Sequence, residues 1–82
     1  MEAKALTANE FLDCKGMLCP LPVVEIAMKM RTVPAGQVLA VFCDALGAHS
    51  DIPAWCEMTG NEFLGSEPDG KGARYYIKKA TA

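Results

Sequence analysis

The order of hydrophobic and polar residues along this 82-residue chain predicts four strands and two helices. Residues 10–14 form a short strand-like segment. Residues 38–43 are a continuous run of β-favouring residues, typical of a central strand buried on both faces. Between these strands, apolar residues recur at helical spacing, which predicts a helix over residues 20–32. Its apolar positions are Leu21, Val24 and Met28, beside an adjacent stripe of Val23, Ile26, Ala27 and Met30.

A second, shorter helix is predicted further along the chain. Four residues repeat at i, i+3, i+4 and i+7: Ile52, Trp55, Cys56 and Thr59. Ser50 or Asp51 is expected to cap the start of this helix. Pro53 is placed in its first turn and Gly60 at its C-terminal end in the left-handed conformation. His49 is therefore expected in an exposed loop before the helix.

Two strands close the chain, over residues 61–67 and 73–79. Turn-forming residues 68–72 join them, so they are expected to pair as an antiparallel hairpin. The element order is βαβαββ, and crossovers after the first two strands place both helices on one face of the sheet. The predicted fold is an α/β two-layer sandwich with a four-stranded mixed sheet. Residues 1–8 are a short polar lead-in, and residues 9–82 form a single domain.

Charge and hydropathy exclude several classes of function. Eight basic and ten acidic residues give a formal net charge of −2, and no basic run is present to neutralise a row of phosphates. Direct binding to nucleic acid is therefore disfavoured. The longest uncharged apolar stretch, residues 16–24, contains two prolines and is shorter than the ~18 residues of a membrane span. With no export signal at the N-terminus, we expect a cytoplasmic protein without a membrane span.

Four cysteines are the chemically distinctive residues, and reduced thiols are expected in the cytosol. No C-x-x-C pair occurs and only one histidine is present, so a metal site is not expected. Cys43 and Cys56 are expected to be buried and inert. Cys14 is interpreted as a structural residue. It would instead be a resolving thiol for Cys19 if the loop brought their Cα atoms within ~7 Å.

Cys19 is the candidate nucleophile, because Pro20 follows it. A residue before proline avoids helical backbone angles, so Cys19 is expected to be the N-cap of a helix that begins at Pro20. Pro22 also lacks an amide hydrogen, which leaves the N–H groups of Leu21 and Val23 as donors directed at the sulfur. The positive end of the helix dipole should lower the thiol pKa. The alternative is a small apolar residue packed at a strand–helix junction, with the prolines serving only to punctuate the helix.

Two groups of residues are candidates for partner docking. Met17 and Leu18 lie beside the thiol in an apolar loop, and their alternative role is to cover the start of the helix. Half of the basic residues lie in the last hairpin, where they would face an acidic partner surface or would simply be solvated lysines of a strand edge. These residues are Lys71, Arg74, Lys78 and Lys79.

Residues 12–22 read L-D-x-x-G-x-x-C-P-x-P, in which the glycine is Gly16. This segment resembles the signature of the TusA-like (SirA-like) sulfur-carrier family. The likeness continues through residues 51–53 and the hairpin residues 69–75, so it covers nearly everything after residue 10. Where the family commonly has an Asp-Pro pair before the second helix, this chain has Ala45 and Leu46, with an acid at Asp44. If Asp44 helps to choose partners, partner identity is open.

The resemblance implies the βαβαββ fold and one essential cysteine, Cys19 here, which carries sulfane sulfur as a persulfide. A cysteine desulfurase or rhodanese-like donor would supply the sulfur, and an acceptor protein would receive it. The relay would serve tRNA thiolation, molybdenum-cofactor synthesis or sulfur oxidation. No metal or organic cofactor is implied. We expect a monomer or weak dimer that acts as a carrier more than as an independent catalyst.

Two alternatives remain open. One is a non-enzymatic module that regulates a transporter of sulfur compounds through the Met17-Leu18 loop. The other is a thiol redox switch that uses Cys14 and Cys19.

Overall fold

Six secondary-structure elements follow one another in the order that the sequence predicts. The computed structural model describes residues 8–18, 21–45 and 47–80. The sheet order is β1-β2-β4-β3, with β1 parallel to β2 and both other pairs antiparallel. The predicted α/β fold with a four-stranded mixed sheet, a central second strand and a C-terminal hairpin is therefore confirmed. The elements are β1 (Glu10–Asp13), α1 (Leu21–Met30), β2 (Val38–Cys43), α2 (Ala48–Thr59), β3 (Glu62–Asp69) and β4 (Gly72–Lys78).

The core lies between one face of the sheet and the two helices. Side chains alternate across a strand, so every second residue of the two central strands points towards the helices. Ile26 of α1 and Ile52 of α2 are completely buried against this face. The strand residues that complete the core are Leu39, Val41, Cys43, Tyr75 and Ile77.

Helix α1 is confirmed, but it buries a different stripe from the three apolar positions that define its spacing. The buried residues are Pro22, Ile26 and Met30, which recur every four residues. Leu21, Val24 and Met28 instead face outwards. The helix is apolar on more than one side, so contact with the sheet decides which stripe is buried.

Lys29 has a different ion-pair partner from the one that helical spacing predicts. Its Nζ lies 3.1 Å from Glu10 Oε1 of β1. Helical spacing alone would favour Glu25, four residues earlier in the same helix. Lys29 therefore links α1 to the edge strand of the sheet.

Helix α2 begins earlier than predicted, at Ala48. Its N-cap is Gly47, which has a left-handed φ of 89° and no side chain to make a capping bond, so the expected cap by Ser50 or Asp51 is wrong. The Gly47 carbonyl instead accepts the N–H groups of both those residues, at 3.0 and 2.8 Å. His49 consequently lies in the first helical turn, where it is exposed, and not in a loop.

Pro53 lies inside α2 and not in its first turn. A proline in a helix interior removes one backbone hydrogen bond. The helix continues because Ala48, Ile52 and Cys56, one turn apart, are all buried against the core. Gly60 ends the helix in the left-handed conformation, as predicted, with φ 82°.

The final hairpin turn is tighter than predicted. Pro68 pairs with Ala73 and Asp69 pairs with Gly72, which leaves only Gly70 and Lys71 in the loop. Pro68 is tolerated because β3 is an edge strand, where a missing N–H need not break the ladder.

Candidate functional site

The candidate site is the loop between β1 and α1, which leads to the C-P-x-P motif. Cys19 and Pro20 lie outside the described residues, as does Leu46. The expectations that Cys19 is the N-cap and that Pro20 starts the helix therefore stay predictions. The residues on either side of Cys19 and Pro20 are described.

The loop leaves β1 with its backbone amides engaged. The N–H of Cys14 donates to the Phe42 carbonyl at 2.8 Å, which extends the parallel ladder by one residue. The N–H of Lys15 donates to Asp13 Oδ1 at 2.9 Å, and that of Met17 to the Cys14 carbonyl at 3.2 Å. The first of these bonds continues the β ladder, the second forms an Asx turn and the third closes a tight turn. Together they shape the backbone up to Met17.

Gly16 lies inside that tight turn. Its φ of 79° is left-handed, which favours glycine because a Cβ atom is strained there. Its N–H donates to Asp44 Oδ1 at 3.0 Å, across 28 residues of sequence. Asp44, considered above only as a docking residue, therefore holds the loop from the neighbouring β2–α2 connection. Sequence reasoning missed this contact, although the parallel pairing of β1 and β2 brings both connections to one edge of the sheet.

On the other side of the motif, the chain is tied back to the loop. The N–H of Leu21 donates to the Leu18 carbonyl at 2.8 Å. This N–H is therefore engaged by a backbone carbonyl of the loop, and its predicted direction towards the Cys19 sulfur stays a prediction. The same role for the N–H of Val23 stays a prediction.

An exposed apolar row runs from the loop along the outer side of α1. Leu18 is 77% exposed, Leu21 48%, Val24 45% and Met28 58%. Met17 differs from them, because it is half-buried and packs against the core. Contact with the core favours the covering role of Met17, whereas Leu18 is open to a partner.

The other three cysteines are free and buried. Burial raises the pKa of Cys14 and of Cys56 to about 11 from 9.0, and the nearby Cys43 thiol and the Glu25 carboxylate add to the effect at Cys14. Burial also raises the pKa of Cys43. The predicted burial of Cys43 and Cys56 is confirmed, and the burial of Cys14 favours its structural interpretation over a resolving role.

Two cations of the last hairpin are engaged within the chain. The Arg74 guanidinium lies 3.4 Å from Glu67 and 3.4 Å from Asp69. Lys79 Nζ donates to the Met30 carbonyl, at the end of α1, at 2.6 Å. Neither charge is therefore fully available to an acidic partner, and docking through Lys78 stays a prediction.

The described part of the chain holds neither a group of metal ligands nor a membrane-spanning helix. Over residues 8–18, 21–45 and 47–80, no three His, Cys, Asp or Glu side chains are grouped so that they could hold a metal ion. Neither helix within these ranges has the length and apolar character that a membrane span requires.

Comparison with known proteins places this geometry in a family. The family model described as "Sulfurtransferase TusA" matches residues 10–79. Two proteins of Bacillus subtilis (strain 168) align over 74 residues, 90% of this chain. "Putative sulfur carrier protein YrkF" is 36% identical and "Putative sulfur carrier protein YrkI" is 31% identical. The alignment spans 40% of YrkF and 99% of YrkI.

A crystal structure shows the same fold. The SirA-like protein from Desulfitobacterium hafniense superposes with a TM-score of 0.70, over 87% of this chain and 97% of that protein. The two sequences are 24% identical, so this likeness concerns the fold.

Proposed function

Because this chain belongs to the TusA sulfurtransferase family, we propose that it carries sulfane sulfur as a persulfide on Cys19 between a donor and an acceptor protein. The observation that supports this assignment is the contrast between the four cysteines. Three are buried with raised pKa values. Cys19 alone lies in the C-P-x-P motif, directly after the exposed Leu18.

The proposed transfer conserves atoms and electrons. The Cys19 thiolate attacks the outer sulfur of the donor persulfide, the donor S–S bond breaks, and the donor cysteine leaves as a thiolate. Cys19 then holds the sulfur as Cys–S–SH. An acceptor thiolate attacks the same outer sulfur, and Cys19 departs as a thiolate. No external oxidant or reductant is consumed, and a leaving thiol of lower pKa departs more readily.

The partners are proposed from the same chemistry. The donor is a cysteine desulfurase or a rhodanese-like protein, and the acceptor is a thiol-bearing protein of a relay for tRNA thiolation, molybdenum-cofactor synthesis or sulfur oxidation. Each partner must bring a cysteine to the loop, so it contacts Leu18 and the adjoining part of the exposed apolar row. Apolar side chains beside the thiol exclude water from such a contact.

One loading experiment tests this function. The reduced protein is incubated with a cysteine desulfurase and cysteine, or with a rhodanese and thiosulfate, and is then digested with trypsin. Cleavage after Lys15 and Lys29 places Cys14 and Cys19 in different peptides. We expect one added sulfur atom on peptide 16–29, lost in Cys19→Ser and kept in the matched control Cys14→Ala. Added sulfur on the Cys14 peptide, or on none, contradicts the proposal.

The exposed apolar row also supports the second candidate, a regulatory binding module. Cys19→Ser separates the two functions. A carrier loses sulfur transfer completely with this substitution, whereas a docking module keeps its binding and most of its effect on the partner.

A further inference from the structure

The hydrogen bond between Gly16 and Asp44 joins two connections that are far apart in sequence. Gly16 belongs to the β1–α1 loop that leads to Cys19, and Asp44 begins the β2–α2 connection. The Gly16 amide donates to Asp44 Oδ1 at 3.0 Å. A hydrogen bond to a charged acceptor is stronger than one between neutral groups. This contact is therefore suited to hold a loop in one position.

The topology explains why these residues meet. β1 and β2 are parallel neighbours, with Asp13 opposite Phe42, so both connections leave the sheet at the same edge. Gly16 lies three residues beyond Asp13, and Asp44 lies two residues beyond Phe42. The turn at Gly16, with its φ of 79°, directs the amide towards the second connection.

The contact with Asp44 differs from the other hydrogen bonds of the loop. The bonds from Lys15 and Met17 are local, within three residues of sequence. The Cys14 amide continues the β ladder and holds only the start of the loop. The Asp44 side chain instead holds the apex of the turn from outside the loop. Without it, the segment before Cys19 would be attached to the sheet only by the Cys14 amide and to the core by the Met17 side chain.

We propose that Asp44 is a positioning residue for the Cys19 thiol. It acts through Gly16, three residues before Cys19, while the bond from the Leu21 amide to the Leu18 carbonyl fixes the other side of the motif. Because the described residues on both sides are held, they limit where the thiol can meet a partner cysteine. This inference rests on the proposed function, because it takes Cys19 as the reactive group.

Three substitutions separate positioning from charge. Asp44→Ala removes both the acceptor and the charge, whereas Asp44→Asn keeps an oxygen that can accept from the Gly16 amide. The matched control is Glu57→Ala, which removes an exposed acid from α2. The first readout is the rate of alkylation of Cys19 by iodoacetamide across pH. The second is hydrogen exchange of the Gly16 amide, and the third is the rate of sulfur transfer from a desulfurase.

We expect Asp44→Ala to expose the Gly16 amide to exchange and to change the limiting rate of Cys19 alkylation at high pH, which loss of the Asp44 charge alone would not change. Sulfur transfer should slow by roughly 10- to 100-fold, the cost of a small misplacement of a reacting group. Glu57→Ala should resemble the wild type in all three readouts. Asp44→Asn should keep the protected amide, the limiting alkylation rate and most of the transfer rate, because its oxygen still accepts a weaker bond. If Asp44 acted only through its charge in docking, Asp44→Asn would be as impaired as Asp44→Ala. Recovery of function in Asp44→Asn therefore distinguishes positioning from such a role.

Several results would overturn the inference. One is wild-type alkylation of Cys19 in Asp44→Ala, and another is an Asp44→Asn protein as slow as Asp44→Ala. If Asp44→Ala does not fold, Asp44→Asn still decides, because an unprotected Gly16 amide or a changed limiting rate of alkylation in that variant contradicts the proposal. Alkylation needs no partner protein. If the wild-type chain accepts no sulfur, the carrier function is refuted, but the effect of Asp44 on the alkylation of Cys19 can still be measured.

Discussion

The buried core and the β1–α1 loop give their cysteines opposite environments. Cys14, Cys43 and Cys56 belong to the core between the sheet and the helices, where burial raises their pKa values. The segment with Cys19 leaves the sheet through a held turn and is flanked by the exposed Leu18 and Leu21. Because a thiolate is the nucleophile, burial suppresses three thiols by removing both their charge and their access. Burial alone thus sets the three described cysteines apart from Cys19, the one proposed to react.

Alkylation of the native protein tests this contrast with the largest expected effect. A brief treatment with iodoacetamide at neutral pH should modify Cys19 and spare the other three. A pKa of about 11 in place of 9.0 reduces the thiolate population of Cys14 or Cys56 by roughly 100-fold, and burial slows the reaction further. Peptide mass spectrometry measures the four rates, and unfolding in denaturant should make them similar. Equal native rates at Cys14 and Cys19 would contradict the contrast.

The two stripes of α1 extend the comparison from chemistry to stability. Ile26 is completely buried, whereas Val24, two residues earlier, is exposed. Ile26→Ala should lower the free energy of unfolding by about 2–5 kcal/mol, since it removes buried methyl groups and leaves a cavity. The matched control, Val24→Ala, should change it by less than about 0.5 kcal/mol. Denaturant titration measures both, and similar losses would mean that the orientation of α1 is wrong.

These two stripes also show how far the sequence alone predicts the structure. Strand β2 and both helices follow from hydropathy, because their patterns are long and bounded by Gly and Pro. The orientation of α1 does not follow, because most residues of Leu21–Met30 are apolar and only contact with the sheet selects one face. The start of α2 was misplaced because Gly47 caps it through its backbone, whereas the prediction relied on a polar side chain.

The site was predictable only in part, for a related reason. The cysteine before Pro20 can be read from local backbone restrictions and from the resemblance to a family. The bond between Gly16 and Asp44 spans 28 residues and depends on the register of two parallel strands. The bond from the Leu21 amide depends on the path of the loop, and the composition of the motif does not encode that path.

Alkaline pH offers a smaller test of the same buried thiols. Folding raises their pKa values, so the unfolded chain loses thiol protons first as the pH increases. The stabilising contribution is complete below about pH 9 and is lost as the pH passes through about 11. The expected loss is up to roughly 2 kcal/mol per thiol. Stability measured from pH 8 to 11 should fall less steeply in Cys56→Ala than in the wild type, and parallel curves would contradict this origin.

The smallest expected effect concerns the end of α1 that lies far from Cys19. Lys79 Nζ donates to the carbonyls of Met30 and Val33, at 2.6 and 3.0 Å, and so places a cation at the negative, C-terminal end of the helix dipole. Lys79→Met keeps the aliphatic stem but removes these bonds, so the free energy of unfolding should fall by about 1 kcal/mol. Lys78→Met is the matched control and should change it less. Because the loop is held by Asp44 at the opposite end of the helix, Lys79→Met should leave the alkylation rate of Cys19 unchanged. A slower alkylation rate in Lys79→Met would show that stability and thiol reactivity are coupled along α1. That result would contradict the independence of the core and the β1–α1 loop.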